Sequence, residues 1–239
     1  MTATAWDDRR SRPVGIEAPH AEHPTAPRPE PAAPSPKIRE TLSLPAVWLG
    51  AAMFFVYVGV EIGAGLWAFP MLTEDRGLGP RIAGLCVSAY WGSLFVGRLL
   101  MGALGDRIPP RRILAYAFAL LIAGAALMAV PGPALLAVAG LMVMGFAAAP
   151  IFPLLTLVTG ERVGPGHTDR AIGVQMGASG LGGALLPTTI GLVLDRWNAG
   201  LLGACLLFFS VVMTGLYVIA SRPRAGRPTA SRRGSPVSG

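Results

Sequence analysis

Six long apolar stretches dominate the chain, at about Pro45–Leu72, Ile82–Leu104, Arg112–Val130, Ala134–Val158, Arg170–Leu194 and Gly200–Ala220. Each approaches or exceeds the ~20 residues that carry an α-helix across a bilayer. Short polar turns separate them, and Pro131-Gly132-Pro133 ends the third stretch abruptly. Lipid offers the backbone no hydrogen-bond partner, so apolar stretches of this length cross it as helices. The pattern predicts an all-α polytopic membrane protein with six transmembrane helices over residues 45–220.

The flanks read differently. Residues 1–44 are polar and carry Pro13, Pro19, Pro24, Pro27, Pro29, Pro31, Pro34 and Pro36. Such a segment buries too little apolar surface to fold, so a disordered tail is predicted there. It has no apolar core of the kind that marks a secretory signal peptide. Residues 221–239 form a second predicted disordered tail, basic through Arg222, Arg224, Arg227, Arg232 and Arg233.

Composition agrees with the spans. The chain is 52% hydrophobic and 14% charged, whereas a soluble domain is nearer a quarter charged. The net charge of +7 does not point to nucleic acid, because the cations sit in tails and turns and no basic patch is interleaved with aromatics. Their distribution sets an orientation instead. Both tails, Arg107/Arg111/Arg112 and Arg162/Arg170 share one side; the other side holds Arg76, Arg81 and Arg196. Lys and Arg are retained in the cytoplasm. Both termini and the turns at Asp106–Arg112 and Gly160–Asp169 are therefore expected there, in a cell inner (plasma) membrane.

Enzyme signals are absent. Cys86 and Cys205 lie inside apolar runs with no CxxC or metal-ligand spacing. No Walker loop, HExxH or nucleophile elbow occurs, so no enzyme, metal site or cofactor is expected. The polar residues inside the spans carry the chemistry. Glu61 falls near the middle of the first span, where a carboxylate is costly unless paired, protonated or facing water. It is a candidate substrate or proton group. Arg98 in the second span either snorkels to the interface or pairs with a carboxylate. Gln175 and Ser179 in the fifth span are candidate cavity residues, with interhelical hydrogen bonding as the alternative. Trp67 and Trp91 offer indole faces on which sugars stack, while Trp48 and Trp197 read as interface anchors. His167, beside Asp169 in a Gly/Pro turn, is expected to be solvated.

Small residues punctuate the spans. Gly59/Gly63, Gly173/Gly177 and Ser179/Gly183 have the spacing that lets helices approach closely. Split three plus three, spans one and four occupy matching places. Gly59, Gly63, Gly65 and Pro70 interrupt the first; Gly145, Pro150 and Pro153 interrupt the fourth. Paired broken helices suggest a transporter built from inverted repeats, with the binding site beside the breaks.

The turn between spans two and three resembles the loop signature of the major facilitator superfamily. Gly102, Leu104, Asp106, Arg107 and Arg111 match it, while Pro109-Pro110 stands where the family usually has Gly-Arg. The resemblance extends over about residues 45 to 220. Tyr57-Val58-Gly59-Val60-Glu61 with Trp67, Gly97-Arg98-Leu99-Leu100, Ala149-Pro150-Ile151-Phe152-Pro153, Glu161-Arg162, Gly173-Val174-Gln175 and Leu186-Pro187 look like the C-terminal six-helix half of fucose-permease-like members. It implies one half of a twelve-helix fold. It also implies transport of a small solute, often a sugar, by alternating access and commonly driven by protons. A charge cluster of Asp106, Arg107, Arg111, Glu161 and Arg162 would lock the cytoplasmic side closed. A half needs a complement, either a second copy in a homodimer or a separate N-terminal half. The alternative is a non-transporting membrane subunit or a truncated remnant.

Overall fold

Helix α1 (Ile38–Leu42) is a single turn, and α2 (Pro45–Pro70) begins one short step later. Pro45 occupies the first helical position, where its fixed φ suits the helix and its missing N–H costs nothing. The computed structural model describes residues 37–104 and 107–222. The remaining helices are α3 (Pro80–Leu104), α4 (Pro110–Ala129), α5 (Ala134–Ala148), α6 (Ile151–Val163), α7 (Thr168–Arg196) and α8 (Leu202–Ser221). With α5 and α6 counted as one interrupted span, six helical segments among the described residues are long and apolar enough to cross a membrane. The expected span positions hold to within a few residues.

Residues 37–44 depart from the tail expected over 1–44. The Lys37 backbone N–H donates to Glu40 Oε2 at 3.1 Å. Thr41 is buried, with its hydroxyl 2.8 Å from His167 Nδ1. His167 is therefore half-buried against α1 rather than solvated. The Trp48 indole donates to the Leu42 carbonyl at 2.8 Å, which ties the turn back to α2. The rest of that tail, residues 1–36, and residues 223–239 lie outside the described residues, as does Asp106.

Helix α2 packs along α7, and α4 is held between α5 and α8. Small residues make these approaches possible. A Cβ on Gly182 would stand 2.6 Å from the Phe55 carbonyl carbon in α2. Gly59 faces the Leu186 side chain, and Gly183 faces Val58 and Ile62. In contrast, nothing lies within 4 Å of a Cβ built on Gly173 or Gly177. That GxxxG pair thus faces open space rather than a closely packed helix. Large apolar side chains such as Leu85, Phe95, Leu181, Leu185 and Phe208 are exposed on the outer faces, where lipid rather than water would meet them.

The interruptions fall differently from expectation. Helix α2 runs unbroken through Gly59, Gly63 and Gly65, because helix packing outweighs their low helical propensity. The first span loses regularity only after Pro70, in a π-turn at Met71–Asp75. The fourth span does break, at Ala149-Pro150 between α5 and α6. Pro153 sits in the first turn of α6, where its missing N–H is harmless. At the end of the molecule away from α1, the Arg76 guanidinium donates to the carbonyls of Met128, Val130 and Gly132, each at 2.9 Å. These are carbonyls at and beyond the end of α4, which the helix itself leaves without partners.

Candidate functional site

Glu61 lies on α2 opposite Arg98 of α3. Arg98 Nη2 stands 3.7 Å from Glu61 Oε1. The Glu61 side chain is 14% exposed and that of Arg98 51% exposed. The pair therefore partly neutralises two charges that the middle of an apolar bundle would otherwise exclude. The second carboxylate oxygen, Oε2, meets the Tyr57 hydroxyl one helical turn back. That hydroxyl is also 2.9 Å from the Ala148 carbonyl oxygen at the end of α5. Tyr90 of α3 donates to the Glu61 backbone carbonyl at 2.9 Å, which fixes the turn of α2 that carries the carboxylate.

The pair opens on a cleft of about 870 Å³, whose wall includes Val58, Glu61, Arg98, Phe152, Leu157 and Ser179. The lining is apolar with a few converging polar groups, the usual make-up of a small-molecule site. A second cleft of about 590 Å³ is bounded by Arg107, Ile108, Pro109 and Pro110. The two share Met101, Leu154 and Leu157. A continuous groove thus runs from Glu61 to the charged turn between α3 and α4.

Glu61, Arg98 and Ser179 come together on this groove. Three other candidates lie elsewhere. Gln175 is 2% exposed; its Oε1 is 3.1 Å from the Thr159 hydroxyl, and its amide packs on Gly50. It ties α6 and α2 to α7 and does not line the cleft. Trp67 donates its indole N–H to the Pro187 carbonyl at 2.8 Å and lies against Gly191. Trp91 packs edge-on against Tyr90, with ring centroids 5.1 Å apart, and covers Gly65. None of these three makes the cleft wall.

At the α1 end, Arg111 Nη2 and Glu161 Oε2 are 4.0 Å apart on largely exposed side chains. A pair so exposed contributes roughly 1 kcal/mol or less. Arg162 turns inward instead, with its guanidinium carbon 5.5 Å from the Tyr217 ring centre. Arg107 is exposed beside the second cleft.

Sequence reasoning gave no role to Tyr57, Tyr90 or Phe152. The Tyr57–Glu61 spacing of four residues was a usable signal, because such pairs share a helix face. Tyr90 offered none, since only the crossing of α3 over α2 brings it to Glu61.

Six helices with a groove leading inward from a charged turn define a membrane protein built around a solute-sized cleft. The model of the Major Facilitator Superfamily matches residues 49–238, and the chain belongs to that family. It is 27% identical over 169 residues to Bypass of stop codon protein 6 of Saccharomyces cerevisiae, covering 66% of this chain and 34% of that one. It is 32% identical over 161 residues to a putative glucose/galactose transporter of Helicobacter pylori, covering 63% of this chain and 36% of that one. The chain thus spans about a third of the length of these relatives. Its fold matches a peptide transporter POT solved in complex with alafosfalin, with TM-score 0.63 and 17% identity, over 77% of this chain and 42% of that one. The protein is therefore an integral membrane protein with the six-helix half fold of the superfamily.

Proposed function

We propose that this chain supplies one half of a proton-coupled sugar transporter that works by alternating access. The observation that carries this reading is the Glu61–Arg98 pair at the head of the groove. A carboxylate, a guanidinium and the Ser179 hydroxyl offer acceptors and donors to sugar hydroxyls, and Phe152 offers an apolar face. The glucose/galactose transporter among its relatives supports a hexose as the solute. Glu61 is also the group suited to carry a proton between the two sides.

The half-exposed Arg98 argues for a complement. A charge facing lipid costs up to roughly 3 kcal/mol at a helix centre on insertion scales and less near an end, and Arg98 lies in the last two turns of α3. A second six-helix bundle, from a second copy or a separate N-terminal half, would cover the groove and complete the cleft. Its test is uptake into proteoliposomes with a hexose panel and an imposed pH gradient, for the chain alone and with each complement. Hexose accumulation by an assembled form is the expected result. Binding to neither complement, with no uptake of any hexose, would overturn the reading in favour of a non-transporting subunit.

The cation distribution supports cytoplasmic termini in the cell's plasma membrane. The groove then opens from Glu61 toward the cytoplasm. With Cys86 and Cys205 replaced, a cysteine at Gly77 is expected to react with an impermeant thiol reagent on intact cells, and one at Ser235 is not. The reverse pattern would invert the proposed orientation.

A further inference from the structure

The Tyr57 hydroxyl holds one proton and faces two oxygens, Glu61 Oε2 and the Ala148 carbonyl. Tyr57 is 1% exposed, so water does not make up the difference. When Glu61 is ionised, both neighbours are acceptors and only one receives the phenol proton. The carboxylate is the stronger acceptor. The Ala148 carbonyl then loses its donor and confronts oxygen lone pairs. When Glu61 holds a proton, the carboxyl O–H donates to Tyr57 Oη, and Tyr57 donates to Ala148. Each oxygen then has a partner, and a chain of hydrogen bonds joins α2 to the end of α5.

The position of Ala148 gives this exchange a consequence. It is the last residue of α5, directly before the Ala149-Pro150 break. Beyond the break, α6 carries Phe152, Leu154 and Leu157, which form one wall of the cleft. Among the described residues, the other charged or titratable groups facing Glu61 are Arg98 and Tyr90, both from α3. Among the described cleft residues, α6 and α7 add Phe152 and Ser179 but no charge. Tyr57 is thus the link between the Glu61 carboxyl and the broken span.

We propose that Tyr57 is a positioning residue that converts the protonation of Glu61 into docking of the α5–α6 break against α2. A proton entering from the cleft goes to Glu61 and closes the wall. Its release to the cleft turns the phenol back to the carboxylate and lets the break relax. This rests on the reading of Glu61 as the proton-carrying group.

The test places spin labels at Leu157→Cys on α6 and Leu181→Cys on α7, both exposed side chains, with Cys86 and Cys205 replaced. Distance distributions are measured on the full chain in nanodiscs across acid and neutral pH. The parent protein is expected to show a docked population that grows on acidification. Glu61→Gln, whose amide donates permanently to Tyr57, is expected to stay docked at every pH. Tyr57→Phe is expected to lose the pH response and to shift the docked-to-relaxed ratio by roughly fivefold toward relaxed, the worth of one hydrogen bond. A Tyr57→Phe protein that keeps the full pH response would overturn the proposal, since a merely structural hydroxyl would shift the ratio equally at all pH values. A pH response that persists in Glu61→Gln would overturn it as well. Transport by Glu61→Gln is read separately: intact proton-driven uptake there refutes the carrier role of Glu61, whatever the spin labels report.

Discussion

Proton-driven accumulation of solute is expected to collapse when Glu61 is replaced by Gln. Gln keeps the size of the side chain and can still hydrogen-bond Tyr57 and a sugar hydroxyl, but it cannot titrate. A gradient of one pH unit across the membrane is worth about 1.4 kcal/mol per proton, which sustains roughly tenfold accumulation at one proton per solute. Uphill uptake by the assembled Glu61→Gln transporter should therefore fall from about tenfold accumulation to equilibration. Exchange of labelled for unlabelled solute across the membrane should continue, because it requires no net proton movement. Both measurements use the same proteoliposomes. If uphill uptake and exchange weaken together, Glu61 acts in binding alone. If neither changes, the carboxylate serves only to neutralise Arg98, whose guanidinium stands 3.7 Å away.

A large loss of stability is expected from Gly182→Val. The position faces the Phe55 backbone, with its carbonyl carbon 2.6 Å from where the first side-chain atom would stand. Backbone has no alternative rotamer, so α7 and α2 must separate along the contact that also holds Gly59 and Leu186. Overpacking of this kind typically costs about 1–3 kcal/mol, and an unyielding backbone neighbour puts this case at about 3 kcal/mol. Separating α2 from α7 would also displace Glu61 from Ser179, so transport should fall with stability. The control is Gly177→Ala on the same helix, where nothing lies within 4 Å of the new atom. A thermal unfolding comparison of the two purified variants checks the expectation. Equal midpoints for Gly182→Val and the parent would show that the two helices yield more readily than their geometry implies.

The six spans and their order were legible in the chain because lipid imposes one solution. Backbone groups must be satisfied within the segment, so an apolar stretch of sufficient length is a helix whatever its neighbours do. Glu61 was legible for the same reason, as a carboxylate where none is cheap. The Arg98–Glu61 pairing stayed open, since two charges on different helices meet only if the crossing angle brings them together. Gln175 and Trp67 show the limit of composition: both have the chemistry of a solute site, and helix rotation turns both into interhelical contacts. The glycines of α2 mark packing rather than breaks, because α7 presses against Gly59 and Gly63 and Trp91 of α3 against Gly65. The break in the fourth span was foreshadowed by Pro150, whose ring removes a helical donor. That the Ala148 carbonyl beside it should find the Tyr57 hydroxyl, and through it Glu61, was decided only by the approach of α5 to α2. Covalent order sets which residues are available; which of them share a cleft follows from the distances between helices.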